Sequence, residues 1–126
     1  MKTAASPPRA GFTLVEIMIV VAIIGLLSAI AIPTFVHARA RAQATTCINT
    51  LKQIETAVQQ VDFVKSLAPG AVINYPDDIT PYIKLNVNNA IPPCPASGNY
   101  SVEPVGANPQ AVCSLGNSVA PPHVLD

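Results

Sequence analysis

Ile17 to Val36 is a run of twenty residues without an ionisable side chain, and Glu16 stands at its edge. A helix of that length rises about 30 Å, enough to cross the hydrocarbon of a bilayer. A carboxylate at such a place costs about 3 kcal/mol or more unless it finds a partner, so Glu16 reads as a functional acid. The alternative role is an interfacial carboxylate that reaches headgroups. Any fold for this chain must give the apolar run either lipid or protein to face.

The part of the chain beyond the run is small. With 126 residues in all, there is room for one modest domain behind the anchor. Hydrophobic residues make up 50% and charged ones 11%, and the apolar run accounts for the imbalance. Basic and acidic side chains are equal at seven each, and Lys2 and Arg9 fall in the first eleven residues. The remainder therefore holds five basic against seven acidic groups and offers no basic patch for nucleic acid. Arg39 and Arg41, directly after the run, suit lipid headgroups better.

From Thr34 to about Leu67 the pattern becomes amphipathic, with Cys47, Leu51, Ile54, Val58 and Val61 recurring every three or four residues. Pro69-Gly70 ends it. Run and stripe together predict one helix from Phe12 to about Ser66. Beyond it, Ala71 to Tyr75 reads as a short extended piece, and Pro76-Asp77-Asp78 starts a turn or brief helix through Lys84. Tyr100 to Glu103 and Gln110 to Cys113 read as two strands joined through Gly106 to Pro109. The expected fold is α+β: a long N-terminal helix, apolar in its first half and amphipathic in its second, packed against a small antiparallel hairpin or sheet.

Three cysteines without zinc-ligand or CxxC spacing fit an exported protein. A Cys94–Cys113 disulfide would enclose the hairpin and, as a loop of about twenty residues, contribute about 3 kcal/mol. Cys47 is then a buried thiol on the helix stripe, although three pairings are compatible with the sequence. His37 and His123 stand apart from other ligand residues in the sequence and read as surface or packing groups, so no metal or other cofactor is expected. Asp77-Asp78 is too sparse for a calcium site, and Asn99-Tyr100-Ser101 fits a glycosylation sequon. No nucleophile, metalloprotease or phosphate-loop order is present, so the chain does not read as an enzyme.

The junction Gly11-Phe12, followed by Thr13-Leu14-Val15-Glu16 and the apolar run, closely resembles the N-terminus of type IV pilins and type II secretion pseudopilins. An ordinary secretory signal lacks both that junction and the embedded acid. The resemblance covers about Arg9 to Phe35. It implies cleavage after Gly11 by a prepilin peptidase, N-methylation of Phe12, and a role for Glu16 in setting register as subunits assemble. It further implies a leader in the cytoplasm, an inner-membrane precursor and loosening of the helix between Gly25 and Pro33 on assembly. The implied segments are leader 1–11, membrane or filament-core helix 12–36, amphipathic helix 37–68 and small globular part 69–126. The implied partners are further copies of the chain in a helical polymer, the peptidase and a pilus or secretion assembly machinery. Two functions fit, a type IV pilus-like fibre and a secretion pseudopilus. A membrane-tethered periplasmic binding module that does not assemble is the reading from another class.

Overall fold

The computed structural model describes residues 11–125. Of the expected leader, Gly11 alone lies among them, and Lys2 and Arg9 fall outside. The chain divides into two compact units, one ending at Val36 and the other beginning at His37.

The main element is α1, Leu14–Lys65, within two residues of its expected bounds. Pro33 lies inside it. Proline has no amide hydrogen to offer the carbonyl four residues earlier, yet the helix is maintained on both sides. The Thr34 hydroxyl bonds back to the Ile30 carbonyl at 3.1 Å in the same turn.

Within the first unit, α1 is apolar on every side and nothing among the described residues covers it. Phe12, Leu14, Ile17, Ile23, Leu27, Ile30, Ile32 and Phe35 are all at least half exposed. An 18-residue window of this helix has a mean hydropathy of 2.8, and none of it is buried.

The second unit is organised by one face of α1. Cys47, Leu51, Ile54, Val58 and Val61, the predicted stripe, are fully buried, with Ala44, Thr50 and Ala57 beside them. Full burial of a side chain such as Leu or Ile is worth about 1.5–3 kcal/mol. Ile73, Ile79, Tyr100, Val105, Ala111 and Cys113 close over this face.

The covering segments are held mainly by turns. After Gly70, residues 71–75 run without a strand, although Val105 bonds back to the Ala71 carbonyl at 3.0 Å and Gly70 to the Val105 carbonyl at 2.8 Å. A short 3-10 helix, Thr80–Tyr82, follows the Pro76 turn and brings Ile79 into the core. Lys65, in the last turn of α1, pairs with Asp78 Oδ1 at 2.6 Å, while Asp78 Oδ2 accepts the Asn74 amide at 3.0 Å. The Lys65 bond, followed by the Asn74 amide, holds the Asp78 carboxyl below its ordinary range.

The hairpin consists of β1, Tyr100–Val102, and β2, Ala111–Cys113, paired antiparallel with Tyr100 opposite Cys113 and Val102 opposite Ala111. Both strands lie inside the predicted runs. Partners across an antiparallel pair share a face, so burial of Tyr100, Cys113 and Ala111 puts that face on the helix.

These packings predict different costs at the two ends of α1. Ile54→Ala should destabilise the second unit by about 2–5 kcal/mol in urea unfolding of the full chain in detergent. Leu26→Ala, on the exposed apolar part, should leave that transition within about 0.5 kcal/mol of the parent.

Candidate functional site

Two places concentrate functional groups: the start of α1, and a cluster at the centre of the second unit.

At the helix start Thr13 and Glu16 form a capping box. Glu16 donates its amide to Thr13 Oγ1 at 3.2 Å, and Thr13 directs its own amide toward Glu16 Oε2 in a long 3.5 Å contact. The acid is also placed in the first turn, where the helix dipole favours negative charge. The signal for this box, Thr-x-x-Glu before an apolar run, is present in the sequence but is overshadowed there by the membrane cost of the acid. Gly11 and Phe12 lie just ahead of the helix and are exposed. Gly25 and Pro33 lie within it, and a Cβ added at Gly25 would meet nothing within 4 Å.

In the second unit Cys47, Cys94, Cys113 and His123 converge, with their ligand-type atoms all within 4.8 Å of one another. All four residues are buried, and all three cysteines are free thiols. The expected meeting of Cys94 with Cys113 occurs, but without a disulfide. Cys47, buried on the helix stripe as expected, sits at the same point, and so does His123, which the sequence shows only as an isolated histidine. Tertiary folding brings the four residues together from well-separated positions, with no local spacing to announce it.

Each residue has its own support. Cys47 belongs to the buried face of α1. Cys94 starts a turn whose Ser97 amide bonds to the Cys94 carbonyl at 3.0 Å. Gln43, on α1, ties this turn down by donating to the Pro95 carbonyl at 3.2 Å. Cys113 ends β2. His123 forms an isolated antiparallel bridge with Gly116, its amide bonding to the Gly116 carbonyl at 2.7 Å, while the Gly116 amide returns to the Cys113 carbonyl at 3.0 Å. That short circuit of backbone bonds fixes the imidazole beside the thiols, with Nδ1 3.5 Å from Cys94 Sγ.

Electrostatics differ among the thiols. Burial pushes Cys47 up to about 12, a shift that the Tyr100 hydroxyl opposes and the neighbouring Cys94 and Cys113 reinforce. Cys94 is also raised by burial, but the Ala96 and Gly98 amides reverse the sign and leave it below the ordinary thiol value. Tyr100 is raised, chiefly by burial and then by Cys47. Its hydroxyl is buried and has no hydrogen-bond partner. A cleft of about 90 Å³ borders Cys113 and His123 from the other side.

Gly98 is what allows the Cys94 turn to approach β2. A Cβ built there would lie 2.6 Å from Cys113 Sγ and 3.0 Å from the Leu115 side chain. Gly98→Ala should therefore destabilise the second unit by about 1–3 kcal/mol through overpacking, read by urea unfolding. Gly25→Ala, with open space around it, serves as the control.

The remaining candidates do not gather into a site. The carboxylate of Asp78 is engaged by Lys65, with Asp77 its exposed neighbour, so the pair acts as a turn rather than a calcium site. His37 is exposed on α1.

Comparison with known proteins bears on the first of the two places. The prokaryotic N-terminal methylation motif matches residues 7–32, so the N-terminal segment is of the prepilin type. Over its N-terminal region the chain is similar to the type IV major pilin protein PilA of Myxococcus xanthus, with 52% identity over 52 residues covering 41% of this chain and 24% of the relative. It is also similar to a fimbrial protein of Pseudomonas aeruginosa, with 51% identity over 49 residues, 39% of this chain and 32% of the relative. The type IV major fimbrial protein FimA of Dichelobacter nodosus gives 51% identity over 49 residues, 39% of this chain and 31% of the relative. The matches thus span a quarter to a third of the length of these relatives. No solved structure matches the chain.

Proposed function

We propose that this chain is a structural subunit of a type IV pilus-like filament, held in the inner membrane by its first helix until it is assembled. The observation that carries the reading is the first unit of α1, apolar on all sides and uncovered, most of which lies within the matched methylation motif. Such a helix requires lipid in one state, and in another it can be covered by the same helix of neighbouring subunits. Head-to-tail contacts that do not close on themselves generate a fibre.

In this reading a prepilin peptidase cuts after Gly11, and Phe12 becomes an N-methylated terminus. The capping box gives Glu16 a place before assembly, satisfying the Thr13 amide. During assembly the same carboxylate pairs with a Phe12 amino group, its own or a neighbour's. A shifted register leaves two charges unpaired in apolar surroundings, so the pair selects register more than it adds stability. The relatives similar to this segment carry pilin and fimbrial names, which supports the fibre-subunit reading.

Sheared surface material should contain long fibres by electron microscopy, with peptides of this chain and an N-terminal methyl-Phe12 by mass spectrometry. Fibres confined to the envelope would replace the pilus by a pseudopilus, and a cleaved chain that remains monomeric would refute assembly altogether. Glu16→Ala should preserve cleavage and reduce fibre yield at least tenfold; normal yield would remove the register role.

Gly25 and Pro33 are proposed as the points at which α1 loosens in the filament, one adding backbone freedom and the other removing a helix hydrogen bond. Amides between them should exchange quickly in assembled filaments. Protection equal to that of the Cys47–Val61 stretch would contradict the idea.

A further inference from the structure

We propose that Cys47, Cys94, Cys113 and His123 form a structural zinc site in the second unit. The four ligand atoms lie within 4.8 Å of one another, the compass of one metal ion. Zinc bonds of about 2.3 Å to sulfur and about 2.0–2.1 Å to nitrogen, at tetrahedral angles, put a sulfur and a nitrogen about 3.5 Å apart and two sulfurs about 3.8 Å apart. The Cys94 Sγ to His123 Nδ1 distance is 3.5 Å. Three sulfurs and one imidazole gathered within 4.8 Å are a zinc donor set, and protein supplies all four ligands. The site is therefore closed and structural rather than catalytic.

The groups around the sulfurs point to the same state. Cys94 belongs to a tight turn closed by the Ser97 amide on the Cys94 carbonyl at 3.0 Å, and the turn is tied to α1 by the Gln43 side chain on the Pro95 carbonyl at 3.2 Å. The Tyr100 hydroxyl, more than nine-tenths buried and without a partner of its own, adjoins Cys47. A donor beside a sulfur is the outer support that metal thiolates use. On binding, each thiol gives up its proton, neutral His123 supplies the Nδ1 lone pair, and the Tyr100 hydroxyl gains an acceptor in the Cys47 thiolate.

A disulfide is the rival use of these cysteines, but it engages only two sulfurs. It leaves the third thiol, the imidazole and the Tyr100 hydroxyl without a partner at the centre of the core. Zinc engages all of them. It also links four separate pieces of the unit, namely α1, the Cys94 turn, β2 and the His123 bridge, where the hairpin is the only sheet among the described residues. Small domains with limited cores depend on such a staple. The inference rests on the second unit alone and is independent of filament assembly.

The test is elemental and intact-mass analysis of the full chain, purified in detergent without chelator or added reductant. About one zinc per chain is expected, with three thiols that resist alkylation until a chelator is added. Cobalt(II) in place of zinc should give thiolate-to-metal charge-transfer bands and the strong visible bands of tetrahedral cobalt. His123→Ala should weaken zinc binding at least tenfold, and Tyr100→Phe by about tenfold through the lost outer bond. A chain free of zinc and two mass units light would establish the disulfide and overturn the site. So would zinc held equally by parent and His123→Ala, which marks adventitious metal, or iron in its place. Cobalt spectra of the unsubstituted chain keep the outcome decisive if His123→Ala does not fold.

Discussion

Burial of one face of α1 is the interaction on which the second unit depends. Its turns and hairpin have little regular structure of their own, and a two-stranded hairpin is marginal by itself in water. They become a folded unit by closing over Leu51, Ile54, Val58 and Val61, which exclude solvent completely. Cys47 sits at one end of that face. The same packing that makes the core therefore delivers a thiol to the place where Cys94, Cys113 and His123 arrive.

The first unit presents the opposite situation. Its helix satisfies its own backbone hydrogen bonds but leaves its side chains without partners, which suits a medium other than water. The capping box is one local provision for polar groups there, and it places the single acid of the segment at the helix start. The cap thus ties the acid to formation of the first helical turn.

Much of this architecture is legible in the residues because it depends on local pattern. The three-to-four residue spacing of Cys47, Leu51, Ile54, Val58 and Val61 identifies the buried face, and Pro69-Gly70 marks where the helix must stop. Alternation around Gly106 to Pro109 locates both strands. Residues 71–75, in contrast, have strand-forming composition but do not enter a strand, because contact with Val105 is limited to Gly70 and Ala71 and no further rungs of a ladder follow.

Neighbouring residues and their periodicity are sufficient to define the apolar run, the N-terminal methylation motif, the helix stripe and the hairpin. What the cysteines and His123 have in common is established only when the chain is folded. Cys47 is separated from Cys94 by the rest of the helix and a long turn-rich segment, and His123 reaches Cys113 through a bridge to Gly116 that no periodicity encodes. Proximity of this kind is created by chain closure over the core. The apolar run with an acid at its edge is thus written in local sequence, while the cluster of cysteines and His123 in the other half emerges from tertiary packing.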